Sequence, residues 1–246
     1  MASEEVAGAV AEAGSNPYGF GALIEHGTGV SYTILAVLAI MSLGTWWIFF
    51  TKYWDQYKLG KSARNVEKTF WSAGSAREGI DRLPKGDDFR VIAESAVRAA
   101  GHYEGRLSDR ISLREWLDMA LSRSVDGLNS KMSGGLSFLA TVGSTSPFVG
   151  LMGTVYGILV ALIKIGLSGQ PSIDQVAGPV GEALIMTALG LVVAVPAVIA
   201  YNVLLKRNKA IQDTLREFTG DLEANLIGGV KPDVRVAPAA PAAAKK

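Results

Sequence analysis

ALIMTALGLVVAVPAVIAYNVLL, residues 183–205, runs for 23 residues without a charge; a carboxylate, Glu182, precedes it and Lys206, Arg207 and Lys209 follow it. About 20 apolar residues cross a bilayer core, so the stretch reads as a membrane helix with Glu182 at or inside its boundary. An ionisable group at that depth is costly unless it faces a cavity, a partner or an ion path. Ion or proton handling is therefore the first functional expectation.

Working outward, uncharged runs also cover residues 27–51 and 132–163, 25 and 32 residues long. Three membrane helices follow. The second run would span about 48 Å at 1.5 Å per residue against a hydrocarbon core of about 30 Å, so part of it should project into water. Basic residues fix the orientation. Residues 1–29 hold no Lys or Arg, and only Lys164 lies between the second and third runs. Lys52, Lys58, Lys61, Arg64 and Lys68 follow the first run, while Arg114, Arg123 and Lys131 precede the second. Basic segments stay inside, which predicts an outer N-terminus and an inner C-terminus. The first run is too long for a signal-peptide core and is expected to remain as a helix. Trp46, Trp47, Tyr53 and Trp54 suit an interfacial belt at its inner edge.

The expected organisation is an all-α membrane protein. Residues 1–29 form a periplasmic segment, 30–51 the first span, 52–131 a cytoplasmic helical region, 132–166 the second span and 167–175 a periplasmic loop. Residues 176–205 form the third span, 206–229 a cytoplasmic helix extension and 230–246 a disordered, low-complexity tail. The run Asn-Pro-Tyr-Gly-Phe at residues 16–20 is expected to start a short interfacial helix through Leu23 and Ile24. The inner region holds 15 basic and 12 acidic residues, with breaks expected at Gly74, Gly79 and 83–86 (Leu-Pro-Lys-Gly). Leu113, Leu117, Leu121 and Leu128 share one helical face, and no proline interrupts the path into the second span, so one helix is expected from about Asp109 to Ile165. Ile211, Leu215, Phe218, Leu222 and Leu226 make a second stripe before Gly228-Gly229. Each stripe needs an apolar partner, either in the same chain or in another copy.

Several function classes drop out. There is no cysteine, so disulfides, thiolate catalysis and cysteine-based metal sites are excluded. His26 and His102 are the only histidines and lie far apart, so no metal site is expected. The glycines of residues 150–157, GLMGTVYG, fit neither GxGxxG nor GxxxxGK and lie within a membrane span. Basic residues of the inner region alternate with acids, as on a solvated face rather than a nucleic-acid patch. We expect neither an enzyme nor a cofactor.

Small and polar residues within the spans carry the remaining signal. Gly143, Gly150 and Gly157 recur every seven residues in the second span, and Ala183, Gly190 and Ala197 do so in the third. Small-residue stripes let membrane helices approach closely, and these six are the candidate oligomer-packing positions, although the pattern alone does not separate contacts between copies from contacts within one chain. The polar set is Thr141, Ser144, Thr145, Ser146, Thr154 and Thr187. A membrane threonine commonly bonds its hydroxyl to a carbonyl one turn earlier. Glu182, just after Gly178-Pro179, also fits an acid near a helix start. Thr187 lies five residues and about 140° from Glu182 in an ideal helix, so the pair does not share one narrow face.

Residues 146–158 (SPFVGLMGTVYGI), 176–191 (VAGPVGEALIMTALGL) and 195–198 (VPAV) resemble the MotA/TolQ/ExbB proton-channel family. Residues 130–144 and 161–166 resemble its ExbB branch; TolQ is close, while MotA has a fourth span that this chain lacks. Met152 and Tyr156 depart from the motif only by apolar or aromatic exchange. The resemblance implies a homopentamer whose second and third helices line a pore around single-span ExbD-like helices carrying a membrane aspartate, in association with a TonB-like protein. It implies inward proton flow coupled to energised outer-membrane transport from the bacterial inner membrane. The family's pore threonines fall on Thr154 and Thr187, and its pore glutamate on Glu182. The alternatives are a TolQ-like subunit of the Tol-Pal envelope system and a non-conducting membrane scaffold.

Overall fold

A computed structural model describes residues 27–103, 111–168 and 173–229. They form six helices: α1 (Gly29–Phe70), α2 (Ala76–Arg82), α3 (Asp88–Gly101), α4 (Leu113–Ser133), α5 (Leu136–Ser168) and α6 (Ile173–Gly228). No strand occurs among the described residues. The expected interfacial helix at 16–20 and the C-terminal tail lie outside them.

Three stretches, within Gly29–Phe70, Leu113–Leu167 and Val176–Gly228, are long and apolar enough to cross a membrane. The described residues divide into two compact units, one within 27–51 and 135–205 and the other within 52–134 and 206–229.

In the first unit, α5 and α6 pack through small residues. A Cβ on Gly150 would lie 2.7 Å from the Met186 carbonyl and 3.0 Å from the Thr187 Cα; one on Gly157 would lie 2.7 Å from the Ala183 Cβ. A Cβ on Gly143 would lie 2.6 Å from Val198, and Gly190 faces Gly150 and the Ser146 carbonyl. Ala183 and Ala197 are buried. The six small residues proposed for oligomer packing thus lie where α5 and α6 of a single chain meet. Ile34 and Leu38 of α1 pack with Met186, and Leu136 and Leu139 pack with Ala200 and Leu204. Large apolar side chains such as Leu43, Leu162, Leu167 and Val192 remain exposed.

The second unit has a water-soluble type of core. Leu59, Val66 and Phe70 from α1 join Phe89 and Ile92 from α3, with Leu121 and Leu128 from α4 and Ile211, Leu215, Phe218 and Leu222 from α6. Both apolar stripes therefore find their partners inside the chain. Phe218 stacks edge-on against Phe70 and Phe89, with centroids 5.2 and 5.5 Å away; such pairs contribute about 0.5–1.5 kcal/mol beyond area burial. Local chemistry sets the helix starts. Ser75 caps α2, Asp87 caps α3, and Ser112 with Glu115 forms a reciprocal capping box on α4.

Two expectations change. The helix predicted from Asp109 to Ile165 is broken at Gly134–Gly135, and α4 and α5 are separate. Gly135 has φ +85 and meets Ile48, a conformation that costs a side-chain-bearing residue about 1–2 kcal/mol. Carbonyls freed at the end of α4 are taken by side chains: Lys52 Nζ donates to the Lys131 carbonyl at 2.9 Å, and Asn208 Nδ2 to that of Met132 at 3.2 Å. Asn208 in turn accepts from Gln56, and both are buried. Gly79 does not break a helix but lies inside α2, where hydrogen instead of Cβ admits the Phe70 ring. Helix α1 runs on past the uncharged stretch to Phe70, because its Leu59, Ala63 and Val66 face enters the second core.

Candidate functional site

Proton or ion handling needs polar atoms that the fold has not already spent. Helix α6 begins at Ile173, which places Glu182 nine residues, or about 13 Å, into it. Helix-end stabilisation fades within the first turn, so an acid that merely caps a helix start does not fit this position. Pro179 likewise lies inside α6 rather than at its first position. One carboxylate oxygen, Glu182 Oε1, is buried and has no hydrogen-bond partner among the described residues.

Thr187 shows the same feature. Its Oγ1 is buried without a partner among the described residues, and its Cα lies against the Gly150 backbone. Leaving such an atom unpaired costs about 1–3 kcal/mol, more when it is charged. Thr154 behaves differently: its Oγ1 donates to the Leu151 carbonyl at 2.7 Å. Thr141, Ser144 and Thr145 also bond back to carbonyls of their own helix. The hydroxyls of α5 are thus mostly spent as donors, and Thr154 keeps only acceptor capacity.

Ser146 is the exception on α5, and the sequence reading left it outside the site. It is fully buried, and its Oγ has no partner among the described residues. The signal was the following residue. Pro147 lies inside α5 and has no N–H, so the Gly143 carbonyl loses its helical donor one turn before the serine hydroxyl.

Glu182, Thr187, Thr154 and Ser146 therefore lie on two helices held in backbone contact by glycine. An unspent carboxylate oxygen and unspent hydroxyls accept hydrogen bonds from water or from a protonated acid, as stations for proton passage must. The described residues contain no group of three His, Asp or Glu side chains that could hold a metal ion.

The fold and these atoms define a multi-span all-α membrane protein with unspent buried polar groups on two apolar helices. Residues 90–217 match the model of the MotA/TolQ/ExbB proton channel family. The chain is 41% identical over 235 residues to the biopolymer transport protein ExbB of Xanthomonas campestris pv. campestris, covering 87% of this chain and 93% of that protein. It is 33% identical over 210 residues to the protein of the same name from Neisseria meningitidis, covering 83% and 96%. It is also 31% identical over 209 residues to the Tol-Pal system protein TolQ of Pseudomonas aeruginosa, covering 83% and 90%. The chain belongs to the MotA/TolQ/ExbB proton channel family.

Proposed function

We propose that this chain is the channel-forming stator subunit of an inner-membrane motor that couples the proton gradient to transport across the outer membrane. It forms a homopentamer around an ExbD-like single-span partner and works with a TonB-like protein, its N-terminus periplasmic and its C-terminus cytoplasmic. The observation that carries the reading is the pair of unspent buried oxygens on α6, Glu182 Oε1 and Thr187 Oγ1. In a bilayer an unpaired carboxylate oxygen needs an outside donor, and water or the protonated aspartate of a partner helix supplies one. Glu182 and Thr187 are the polar stations on α6; Thr154 contributes acceptor lone pairs from α5.

The likeness to TolQ favours a second reading, in which the same channel drives an envelope-maintenance system. Complementation separates the two: restored siderophore uptake in cells lacking their own ExbB supports the first, and restored detergent resistance in cells lacking TolQ supports the second.

The residue assignment is tested with Glu182→Gln, Thr187→Val and Thr154→Val, measuring oligomer size and proton-driven uptake. All three should assemble, with uptake falling at least tenfold for Glu182→Gln, severalfold for Thr187→Val and least for Thr154→Val. Assembled variants that all transport at the unmodified rate would make the chain a scaffold and remove the basis for a proton path.

A further inference from the structure

We infer that the second unit contains a binding site for a phosphate-bearing anion, supplied by an acidic phospholipid of the inner leaflet. The site is a cavity of about 600 Å³ between α1, the turn joining α2 to α3, and α4. Its wall carries Lys52, Lys58, Lys61, Arg82, Lys85 and Lys131 against Asp55, Asp87 and Asp88. Cations thus outnumber carboxylates on the wall by six to three. Asp88 pairs with Lys131 at 3.2 Å, which cancels one charge of each sign, and Asp87 accepts from the Ser62 hydroxyl and from the Phe89 N–H, neutral donors that leave its charge in place.

The cations divide in the same way. Arg82 is held by Glu78 at 2.6 Å, and Lys52 donates to a neutral carbonyl, which leaves its charge unbalanced. Lys58 lies 5.9 Å from the Trp54 ring, which also leaves its charge in place. Neither Lys61 nor Lys85 has an ion pair or hydrogen bond among the described residues. Lysines gathered around a low-dielectric hollow focus their field into it. The floor is apolar, formed by the buried Leu59, Leu83, Leu128 and Met132. An anion with a carbon skeleton fits that combination better than a small, strongly hydrated ion.

The depth of the site points to the source. Lys52 directly follows the uncharged run 27–51, and Lys131 directly precedes the uncharged run 132–163. Both therefore stand at the headgroup level of the basic face, where anionic lipids attract lysine. Lys61 lies about 13 Å further along α1, so the cavity leads from the headgroup layer toward water. This inference is independent of the proton path, because none of the residues used there lines the cavity.

The test uses the full chain in neutral detergent after delipidation. Dioctanoyl phosphatidylglycerol, dioctanoyl phosphatidylcholine and inorganic pyrophosphate are titrated separately, with bound ligand counted by native mass spectrometry and stability read by thermal unfolding. Phosphatidylglycerol should bind and raise the unfolding temperature, and phosphatidylcholine should do neither. Lys61→Gln combined with Lys85→Gln should weaken binding about 25-fold, because each lysine near an anionic headgroup contributes roughly a factor of five. Both side chains are exposed, so the fold should be retained. Lys209→Gln, at an exposed lysine outside the cavity, should bind as the unmodified chain does. Equal binding of both lipids, undiminished binding by the double variant, or pyrophosphate binding as tightly as phosphatidylglycerol would overturn the assignment.

Discussion

Gly190→Ala and Gly220→Ala make the same chemical change in the same helix, α6, and should shift stability in opposite directions. At Gly190 the new methyl group would meet three backbone atoms of α5: the Ser146 carbonyl oxygen at 2.7 Å, the Gly150 Cα at 3.1 Å and the Gly150 nitrogen at 3.3 Å. Ordinary van der Waals contact begins near 3.4 Å, about 0.7 Å beyond the closest of these contacts at 2.7 Å, so the helices must separate, and backbone cannot move aside by changing rotamer. Overpacking of this kind costs about 1–3 kcal/mol. At Gly220 the methyl group meets nothing within 4 Å. Alanine is favoured over glycine in a helix interior by about 1 kcal/mol at both positions, so that contribution cancels in the comparison. The difference between the two variants is therefore the packing cost alone, about 1–3 kcal/mol. Thermal unfolding of the purified chain in one detergent, followed by tryptophan fluorescence, measures it. Gly220→Ala should melt above the unmodified chain, and Gly190→Ala below Gly220→Ala by several degrees. If the two melted together, the close approach of α5 and α6 would be refuted.

Asn208→Leu removes the acceptor used by Gln56 and the side-chain donor on the Met132 carbonyl, so it should destabilise the second unit by about 1–3 kcal/mol; chemical denaturation gives the value, and an unchanged midpoint would remove the role of this bridge. The absence of cysteine makes topology directly testable: single cysteines at Ser15 and Ser172 should react with an impermeant thiol reagent in intact cells and one at Ser75 should not, and labelling at Ser75 would reverse the orientation.

The three candidate spans were legible in the sequence because bilayer thickness converts directly into a length of uncharged chain, a one-dimensional property. Glu182 was legible for the same reason, as the acid that interrupts apolar sequence. The two stripes outside the uncharged runs announced apolar faces, but only the tertiary structure showed that α1, α3, α4 and α6 of one chain cover them. Glycine spacing announced close approach without naming a partner; the backbone of α6 against Gly150 and Gly157 supplies one. The Gly134-Gly135 pair was visible, yet an unbroken helix fitted the apolar pattern equally well. The break is set by a positive φ packed on Ile48 and by Lys52 and Asn208 taking the freed carbonyls, contacts separated by 79 and 76 residues in the chain. Residue type also could not distinguish Thr154 from Thr187. Each carries the same hydroxyl, and whether it is spent on its own helix or left facing inward depends on the rotamer that the neighbouring helix permits.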